Sequence, residues 1–293
     1  MKRSLIMFLW LVSPAMTHAQ QDLDSSIRSL TEGSGAVFGI AMVDLGTGRQ
    51  FFWKEREMFH AASTMKTPVM MEVFRQAREG LFNLDDSILV TNEFRSIVDS
   101  SVYSMDLKDD SDDSMYGILG KKTTIRHLVE QMITVSSNLA TNILIELVGA
   151  DKTTATMRRL GAPDIQILRG VEDGKAFEKG LNNTTNAVDL MTIFAALAEG
   201  KAVSEQDDSA MVEVLLRQQF RDKIPALLPP DVRVAHKTGN ITGVEHDSGI
   251  LLLPDGSRMV MVILTRGWQD QRQAKGLMAQ VARKMFDAFS EGN

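Results

Sequence analysis

Three short motifs carry side chains that could together perform nucleophilic chemistry. The first is Ser63-Thr64-Met65-Lys66, in which serine and lysine stand three residues apart ahead of an apolar repeat. Residues three apart lie on one face of a helix, so Lys66 could reach the Ser63 hydroxyl. A serine becomes a good nucleophile when a neighbouring base takes its proton, and lysine is such a base only when its pKa is lowered. The alternative is that Ser63 caps the helix, as serine commonly does.

Two later motifs carry complementary groups. Ser136-Ser137-Asn138 stands at the start of a strongly helical run, where helix capping would also explain the serines. Lys237-Thr238-Gly239 lies in a segment with strand character, and a lysine beside a hydroxyl suits the binding of a carboxylate. The glycine lets a ligand approach the strand closely. The alternative is an edge-strand lysine that discourages aggregation, with the glycine at a bulge.

The sequence around the motifs divides into three zones that must position them. Residues 36–59 alternate β-favouring segments around the turn DLGTG, which predicts a two-stranded hairpin. Over residues 63–200 apolar residues recur mostly at helical spacing, and Thr184-Thr185 is predicted to cap one of these helices. After Pro229-Pro230 three strands are predicted, followed by a helix over residues 270–290.

The N-terminus has the layout of a secretory signal peptide. Lys2 and Arg3 precede the apolar run Leu5–Val12, and a small-residue cleavage site ends at Ala19. The apolar run is too short to cross a bilayer as a helix. We therefore expect a mature chain that begins near Gln20, is periplasmic or secreted, and has no membrane span.

The composition bounds the classes of partner and ligand. The chain has no cysteine, so its stability must come from its core. The formal charge is −6, and loss of the two basic residues of the signal peptide makes it −8, which gives no reason to expect a nucleic-acid partner. The aspartates of DLKDDSDDSMYG resemble a calcium loop only superficially, because Met115 and Lys121 occupy the positions that need glycine and a bidentate glutamate. A solvated surface loop is the better interpretation.

The three motifs, in this order, resemble those of the class A β-lactamases, within the penicillin-recognising serine hydrolases. The resemblance covers nearly all of the mature chain. It implies an α+β, two-lobed fold, in which an antiparallel sheet is flanked by terminal helices and an all-helical lobe is inserted. We expect residues 1–19 to be the signal peptide and 20–293 to form one catalytic domain. Its sheet lobe would span about 20–62 and 205–293, and its helical lobe about 63–204.

The resemblance also assigns roles in catalysis. It implies that Ser63 is the nucleophile that becomes acylated and that Lys66 is its proton-transfer partner. Ser136 would relay a proton to the leaving nitrogen. No cofactor or metal is implied, and we expect a monomer that acts on a small molecule, either a β-lactam or a related acyl donor.

Further residues are implied to bind the substrate. Asn138 would hold the amide side chain of the substrate, and Lys237 and Thr238 would bind its carboxylate. The oxyanion hole would use the backbone N–H of the nucleophile and that of Asn240, which follows Gly239. The loss of one such donor typically costs on the order of 10²–10³ in rate.

The region that supplies the deacylating glutamate departs from the family pattern. Class A enzymes carry R-x-E-x-x-L-N there, whereas this sequence reads RGVEDGKAFEKGLNN. Glu172 follows Arg169 by three positions instead of two, and we prefer it as the general base. Glu178, in EKGLN, is the alternative, and either could be only a solvated loop carboxylate. Asn183 stands where an aspartate usually closes the loop, so we expect a weaker, neutral hydrogen bond to Arg169.

Other departures lie close to the motifs. Ser137 replaces an aspartate that usually braces the adjacent loop, and His236 puts a group that titrates near neutral pH beside the anion site. The segment 94–117 is longer than in compact class A enzymes, and we expect it to overhang the cleft entrance. For Tyr103 and Tyr116, within that segment, packing is a better expectation than stacking on substrate.

Three functions are compatible with these motifs, and we favour the first. The first is a β-lactam hydrolase, in which a loop glutamate activates the water that frees Ser63. The second is a D-Ala-D-Ala peptidase or an esterase with the same acylation chemistry. The third is a β-lactam-binding protein that acylates once and releases its product slowly. The positions of Glu172 and Glu178 relative to Ser63 should separate the first from the third.

Overall fold

The computed structural model of the protein describes residues 18–290, with the environment of side chains from residue 21 onward. The predicted signal peptide, residues 1–19, lies outside the described residues except for His18 and Ala19, where the first helix begins. Across residues 18–290, we find no helix that combines the length and the apolar character needed to cross a bilayer.

The chain forms nine helices and eleven strands within the described residues. The helices are α1 (His18–Glu32), α2 (Lys66–Arg78), α3 (Ile125–Thr134), α4 (Asn138–Val148), α5 (Ala150–Arg159), α6 (Gly174–Glu178), α7 (Ala187–Ala198), α8 (Glu205–Leu216) and α9 (Gln271–Ser290). The strands are β1 (Val37–Asp44), β2 (Gln50–Trp53), β3 (Phe59–His60), β4 (Ser87–Leu89), β5 (Phe94–Arg95), β6 (Val102–Tyr103), β7 (Lys122–Thr124), β8 (Thr184–Thr185), β9 (Arg233–Ile241), β10 (Val244–Leu252) and β11 (Arg258–Arg266).

The main sheet is antiparallel and has the strand order β2-β1-β11-β10-β9. The predicted N-terminal hairpin is β1 and β2, and the three predicted late strands are β9, β10 and β11. Strand β1 pairs with β11, from Val37 opposite Arg266 to Asp44 opposite Met259, so the two ends of the chain meet in the sheet. Strand β9 stands at the edge, where a ligand can approach its backbone.

Alternating side chains of the sheet feed two separate apolar cores. On one face, Ile40 and Met42 of β1 pack with residues of α1 and α9, including Ile27 and Met285. On the other face, Ala41 and Val43 face helices α2, α3, α4, α7 and α8. Because a strand points successive residues to opposite faces, the continuous apolar run VFGIAMV of β1 supplies both cores. The predicted α+β fold, with terminal helices on a sheet and a helical lobe inserted, is confirmed.

Two details differ from the expectations. Thr184-Thr185 does not cap a helix but forms β8, which pairs with β3. Helix α7 is capped by Asn186 instead, whose side chain accepts a hydrogen bond from the backbone N–H of Asp189 at 2.8 Å.

Candidate active site

Ser63 lies in a 3-10 turn, Ala62–Met65, between β3 and α2, and it lines a cavity of about 340 Å³. The turn is held by a hydrogen bond from the Thr64 hydroxyl to the carbonyl of Ala61 at 2.6 Å. The alternative that Ser63 caps the helix is wrong, because Ala61 and Met65 occupy the two cap positions. Among the described residues the Ser63 hydroxyl has no hydrogen-bond partner, so it is available to a ligand in the cavity.

Lys66 is the first residue of α2 and is completely buried. Its Nζ donates to the carbonyl of Ser136 at 2.7 Å and to Asn138 Oδ1 at 2.8 Å. Burial lowers the pKa of Lys66 to about 7, although the negative charges of Asp110 and Glu172 oppose this change. A lysine with such a pKa is partly neutral at physiological pH and can accept a proton. Lys66 therefore has the lowered pKa that a lysine base requires.

Ser136 occupies the turn between α3 and α4, in the left-handed backbone conformation with φ +61°. Its hydroxyl oxygen accepts hydrogen bonds from Lys66 Nζ at 3.2 Å and from Lys237 Nζ at 3.0 Å. In the part of the chain that the structure describes, Lys66 bonds to Ser136 and not to the Ser63 hydroxyl. The two lysines thus fill the lone pairs of Ser136 Oγ and leave its proton free to be donated elsewhere.

Lys237 and Thr238 lie on the edge strand β9, and Lys237 is completely buried. Besides Ser136, its Nζ donates to the Thr238 carbonyl at 2.9 Å. The pKa of Lys237 is well below its ordinary value, first because burial desolvates the ammonium and then because Lys66 and Lys223 repel it. The Thr238 side chain alternates to the other face of the strand, and its hydroxyl makes no hydrogen bond within residues 18–290.

Gly239 brings β9 directly against the turn that carries Ser63. A Cβ atom at this position would stand 3.0 Å from the backbone nitrogens of Ser63 and Thr64. The next residue, Asn240, lines the same cavity as Ser63. The strand therefore brings the backbone of residue 240 and the backbone N–H of Ser63 to one cleft, which is the arrangement an oxyanion hole requires.

The loop between residues 169 and 183 closes differently from the expectation. Asn183 Oδ1 accepts a hydrogen bond from the backbone N–H of Arg169 at 3.2 Å, a neutral bond as expected, but within the described residues the Arg169 guanidinium does not bind Asn183. Instead, the guanidinium donates to the carbonyl of Leu181 at 2.8 Å and to Asn182 Oδ1 at 3.1 Å. Asn183 binds the backbone, accepting from the N–H of Leu168 at 2.8 Å and donating to the Arg169 carbonyl at 2.9 Å. A neutral amide suits this position because it must both donate and accept, which a carboxylate cannot do.

Glu172 lines the cavity together with Ser63, whereas Glu178 does not contribute to its walls and is exposed at the end of α6. The Glu172 backbone has φ +60°, and its carboxylate accepts a hydrogen bond from Asn138 Nδ2 at 3.4 Å. The pKa of Glu172 is raised, first by desolvation in the cleft and then by the charge of Asp109. Both carboxylates are exposed, but of the two only Glu172 lines the cavity that contains Ser63.

Asn142, on α4, was not singled out by the sequence, and it fixes the backbone just before Glu172. Its Oδ1 accepts from the N–H of Val171 at 2.7 Å, and its Nδ2 donates to the Val171 carbonyl at 3.0 Å. A Cβ atom on Gly170 would stand 2.4 Å from Asn142 Oδ1. The signal that could have found Asn142 is its position on the buried face of α4, where a polar side chain needs a partner.

The two tyrosines of segment 94–117 pack against the protein, as expected. The Tyr103 hydroxyl donates to the carbonyl of Val171 at 3.1 Å, and that of Tyr116 donates to Asp110 at 3.3 Å. The acidic loop in this segment is only partly a solvated surface loop. Asp110 binds the start of α4, accepting hydrogen bonds from the backbone N–H groups of residues 138 and 139.

His236 does not lie beside the anion site, contrary to the expectation from its place in the sequence. It alternates to the face of β9 opposite Lys237, where it is completely buried, and its Nδ1 is 2.9 Å from Asp247 Oδ1. On the same face, Lys223 Nζ lies 2.6 Å from Glu245 Oε2, and both side chains are buried. Two buried charged pairs therefore stand behind the strand, while the cleft is in front of it.

The site as a whole is a chain of hydrogen-bonded proton carriers beside an accessible serine. Lys66, Ser136 and Lys237 are joined in series, and each lysine has a pKa lowered by burial. Such a chain can take a proton from a nucleophile on one side and deliver one to a leaving group on the other. In residues 18–290 no three His, Asp or Glu side chains are arranged to hold a metal ion.

Comparison with known proteins agrees with this geometry. Residues 22–289 match the model of the β-lactamase enzyme family. A β-lactamase from Streptomyces albus G is 28% identical over 92% of this chain and 85% of its own length. The crystal structure of a β-lactamase from Sphaerobacter thermophilus is 26% identical, with a TM-score of 0.78 over 92% of this chain and 97% of that one.

A further structural relative is PBP-A, which is 25% identical, with a TM-score of 0.79 over 94% of this chain and 97% of that one. A mutant of PBP-A has been solved as an acyl-enzyme complex with penicillin G. The match to the family model covers nearly the whole of the chain, and the solved relatives share its fold over more than nine-tenths of its length. On this evidence the chain belongs to the β-lactamase enzyme family, in its class A branch.

Proposed function

We propose that this protein hydrolyses β-lactams through an acyl-enzyme on Ser63. The observation that carries the proposal is the Ser136 hydroxyl, held between Lys66 at 3.2 Å and Lys237 at 3.0 Å beside the nucleophile. In the acylation step Ser63 Oγ attacks the lactam carbonyl, its proton passes to neutral Lys66, and the backbone N–H groups of Ser63 and Asn240 stabilise the oxyanion. The ring C–N bond then breaks, and the nitrogen takes the Ser136 proton, which Lys66 replaces.

Two further groups bind the substrate in this scheme. Lys237 and the free hydroxyl of Thr238 receive the carboxylate next to the ring nitrogen at the open edge of β9. Asn138 accepts from Lys66 at 2.8 Å, and its Nδ2 would exchange its 3.4 Å hydrogen bond to Glu172 for one to the carbonyl of the substrate side chain. These contacts keep the lactam carbonyl at the serine during attack, which makes the reaction effectively unimolecular.

Release of the acyl group is assigned to Glu172. Its raised pKa favours proton exchange with water, and its carboxylate is in the same cavity as Ser63. A water between them would lose a proton to Glu172 as it attacks the ester carbonyl. Ser63 would then leave with that same proton, passed from Glu172 through Lys66, so that both groups return to their starting protonation states. Asn142 fixes the backbone of Val171, just before Glu172, and Asn138 donates to the carboxylate itself.

The test is incubation of the mature protein with a chromogenic cephalosporin while turnover and intact mass are followed together. Steady turnover that Ser63→Ala abolishes supports the proposal. In Glu172→Gln we expect acylation to continue and the acyl-enzyme to accumulate, whereas Glu178→Gln, a charge-matched control in the same loop, should turn over like the wild type. A lasting adduct on the wild-type protein would instead indicate a slow-releasing β-lactam-binding protein. No adduct and no turnover would indicate an acyl donor other than a β-lactam.

We also propose that the chain is exported and cleaved near Ala19. The basic and apolar layout of the N-terminus supports this proposal. Expression of the full chain in a Gram-negative host should give a periplasmic product whose intact mass corresponds to a start at Gln20. Recovery of the uncleaved chain in the cytoplasm would contradict it.

A further inference from the structure

The first turn of α4 carries Asn138 and follows directly on Ser136, so its position decides where both side chains lie. Ser137 caps the helix by accepting a hydrogen bond from the N–H of Ala140 at 3.3 Å. The backbone N–H groups of residues 138 and 139 lie in the first turn and have no acceptor within the helix. Ser137 has no carboxylate that could accept from them. Asp110 binds both of them, through Oδ1 at 2.8 Å and Oδ2 at 2.9 Å.

We infer that Asp110 is a positioning residue for the acylation step. This inference rests on the proposed function. The Asp110 carboxylate holds the start of α4, and with it Ser136 and Asn138, and it places a negative charge beside Lys66. The direction of the contact is the reverse of the expected one. The carboxylate comes from the overhanging loop to the helix, and not from position 137 to the loop.

Neighbouring contacts make this a clamp and not a single bond. The Ser111 hydroxyl donates to the carbonyls of Val135 at 2.7 Å and Ser136 at 3.0 Å. From the other side, Asn138 Nδ2 donates to the carbonyl of Asp109 at 3.1 Å. The clamp therefore grips the residues on both sides of Ser136, whose left-handed backbone needs support from its surroundings.

The charge of Asp110 acts on the proton affinity of Lys66. The charged groups that influence this lysine are Asp110 from the acidic loop, Glu172 from the loop between residues 169 and 183, and Lys237 from β9. The two carboxylates raise the pKa of Lys66 and oppose the desolvation that lowers it, whereas Lys237 is a neighbouring cation. Without the charge of Asp110, the lysine should lose its proton at a lower pH.

The two contributions can be separated by two substitutions. Asp110→Asn removes the charge but keeps an oxygen that can accept a hydrogen bond, and Asp110→Ala removes both. Asp113→Asn is the matched control, because it removes the same charge from an exposed position of the same loop. Two measurements are made at pH 5–9 on the mature protein. One is the acylation rate with a chromogenic cephalosporin in the pre-steady state, and the other is the titration of Lys66 by NMR of 13Cε-labelled lysine.

In Asp110→Asn we expect the Lys66 titration and the acid limb of acylation to move together to lower pH, by roughly 0.5–1 pH unit, as for the loss of one nearby charge. The maximal acylation rate should fall less than about fivefold, because one acceptor remains. In Asp110→Ala the maximal rate should fall at least about tenfold, because both N–H groups at the start of α4 lose their acceptor and the catalytic side chains that follow from it are misplaced. Asp113→Asn should behave like the wild type.

Three results would overturn the inference. They are an unchanged Lys66 titration in Asp110→Asn, an equal change in Asp113→Asn, and equal rate losses at every pH in both Asp110 variants. If Asp110→Ala does not fold, Asp110→Asn alone still decides the question through the titration. Failure of the proposed function is distinguishable, because the wild-type protein would then not be acylated while Lys66 could still be titrated.

Discussion

Gly239 is the position where a single added methyl group should separate folding from catalysis. In Gly239→Ala the new Cβ would stand 3.0 Å from the backbone nitrogens of Ser63 and Thr64 and 3.2 Å from Thr64 Cγ2. Unstrained contacts between such atoms are about 3.5 Å or longer, so β9 and the serine turn must separate by roughly half an ångström. Two of the three contacts are backbone atoms, and a rotamer change cannot relieve them.

The displacement falls on the two N–H groups that would bind the oxyanion, those of Ser63 and Asn240. Misplacement of catalytic groups on this scale, or loss of one oxyanion donor, costs about 10²-fold in rate. We therefore expect acylation by a chromogenic cephalosporin to fall about 10²-fold in Gly239→Ala. The melting temperature should change by only a few degrees, because replacing glycine also lowers the entropy of the unfolded chain, worth about 0.4–1 kcal/mol.

The assay is pre-steady-state acylation, with circular dichroism melting on the same samples. Gly276→Ala is the matched control, because a Cβ at that position on α9 meets no atom within 4 Å. It should acylate at the wild-type rate and melt no earlier than the wild type. Acylation of Gly239→Ala within threefold of the wild-type rate would refute the steric reasoning and the placement of the oxyanion hole at β9.

Two further predictions concern the buried charges. Lys66→Met should stabilise the fold, because the pKa of this lysine is lowered from 10.5 to about 7 in the folded protein. For a base with a lowered pKa, the stability of the wild-type protein is greatest above the unfolded pKa and is lost as pH falls from about 10.5 to 7. In denaturant unfolding, the advantage of Lys66→Met over the wild type should therefore grow as pH falls through that interval, to at most about 5 kcal/mol. An advantage that does not depend on pH would contradict this. Asp173 is buried and accepts from the Ser96 hydroxyl at 2.9 Å and from the Ile97 N–H at 3.0 Å, which ties the Glu172 loop to the β5–β6 hairpin. Asp173→Asn should therefore slow deacylation about tenfold in single-turnover experiments. The control Lys175→Met, which breaks an exposed ion pair between the same two segments, should change neither the rate nor the stability measurably. Equal effects of the two substitutions would argue against a role for the buried Asp173 contacts.

The sequence predicted those helices and strands that depend on the local pattern of apolar residues. The apolar runs of β1 and of the late strands reflect burial on both faces of the sheet. The spacing of apolar residues in α3, α4 and α7 reflects burial of a helix face, so these elements formed as expected. Lys66, Ser136 and Lys237 converge because each stands at a fixed point of such an element. Motif order was therefore enough to predict this part of the site.

The expectations failed where a contact depends on residues distant in sequence. Asp110 accepts hydrogen bonds from the start of α4, and the Arg169 guanidinium donates to Asn182 and to backbone carbonyls. Both contacts depend on the course of irregular loops, which the sequence pattern does not determine. Thr184-Thr185 has the composition of a helix start, but pairing with β3 took precedence over capping. His236 was misplaced because adjacency in a strand puts neighbouring side chains on opposite faces.

The pairing of β1 with β11 has a consequence for how the molecule is made. These strands join residues 37–44 to residues 258–266, with the whole helical region in the intervening chain. Such a non-local contact forms late, because the entropy of closing a very long loop must be overcome first. Strand β9 is joined to β1 only through β10 and β11, so we expect the serine turn to gain its oxyanion partner only once this pairing has formed. A chain that ends at residue 257 would hold all three motifs but lack β11, the strand that joins β9 and β10 to β1.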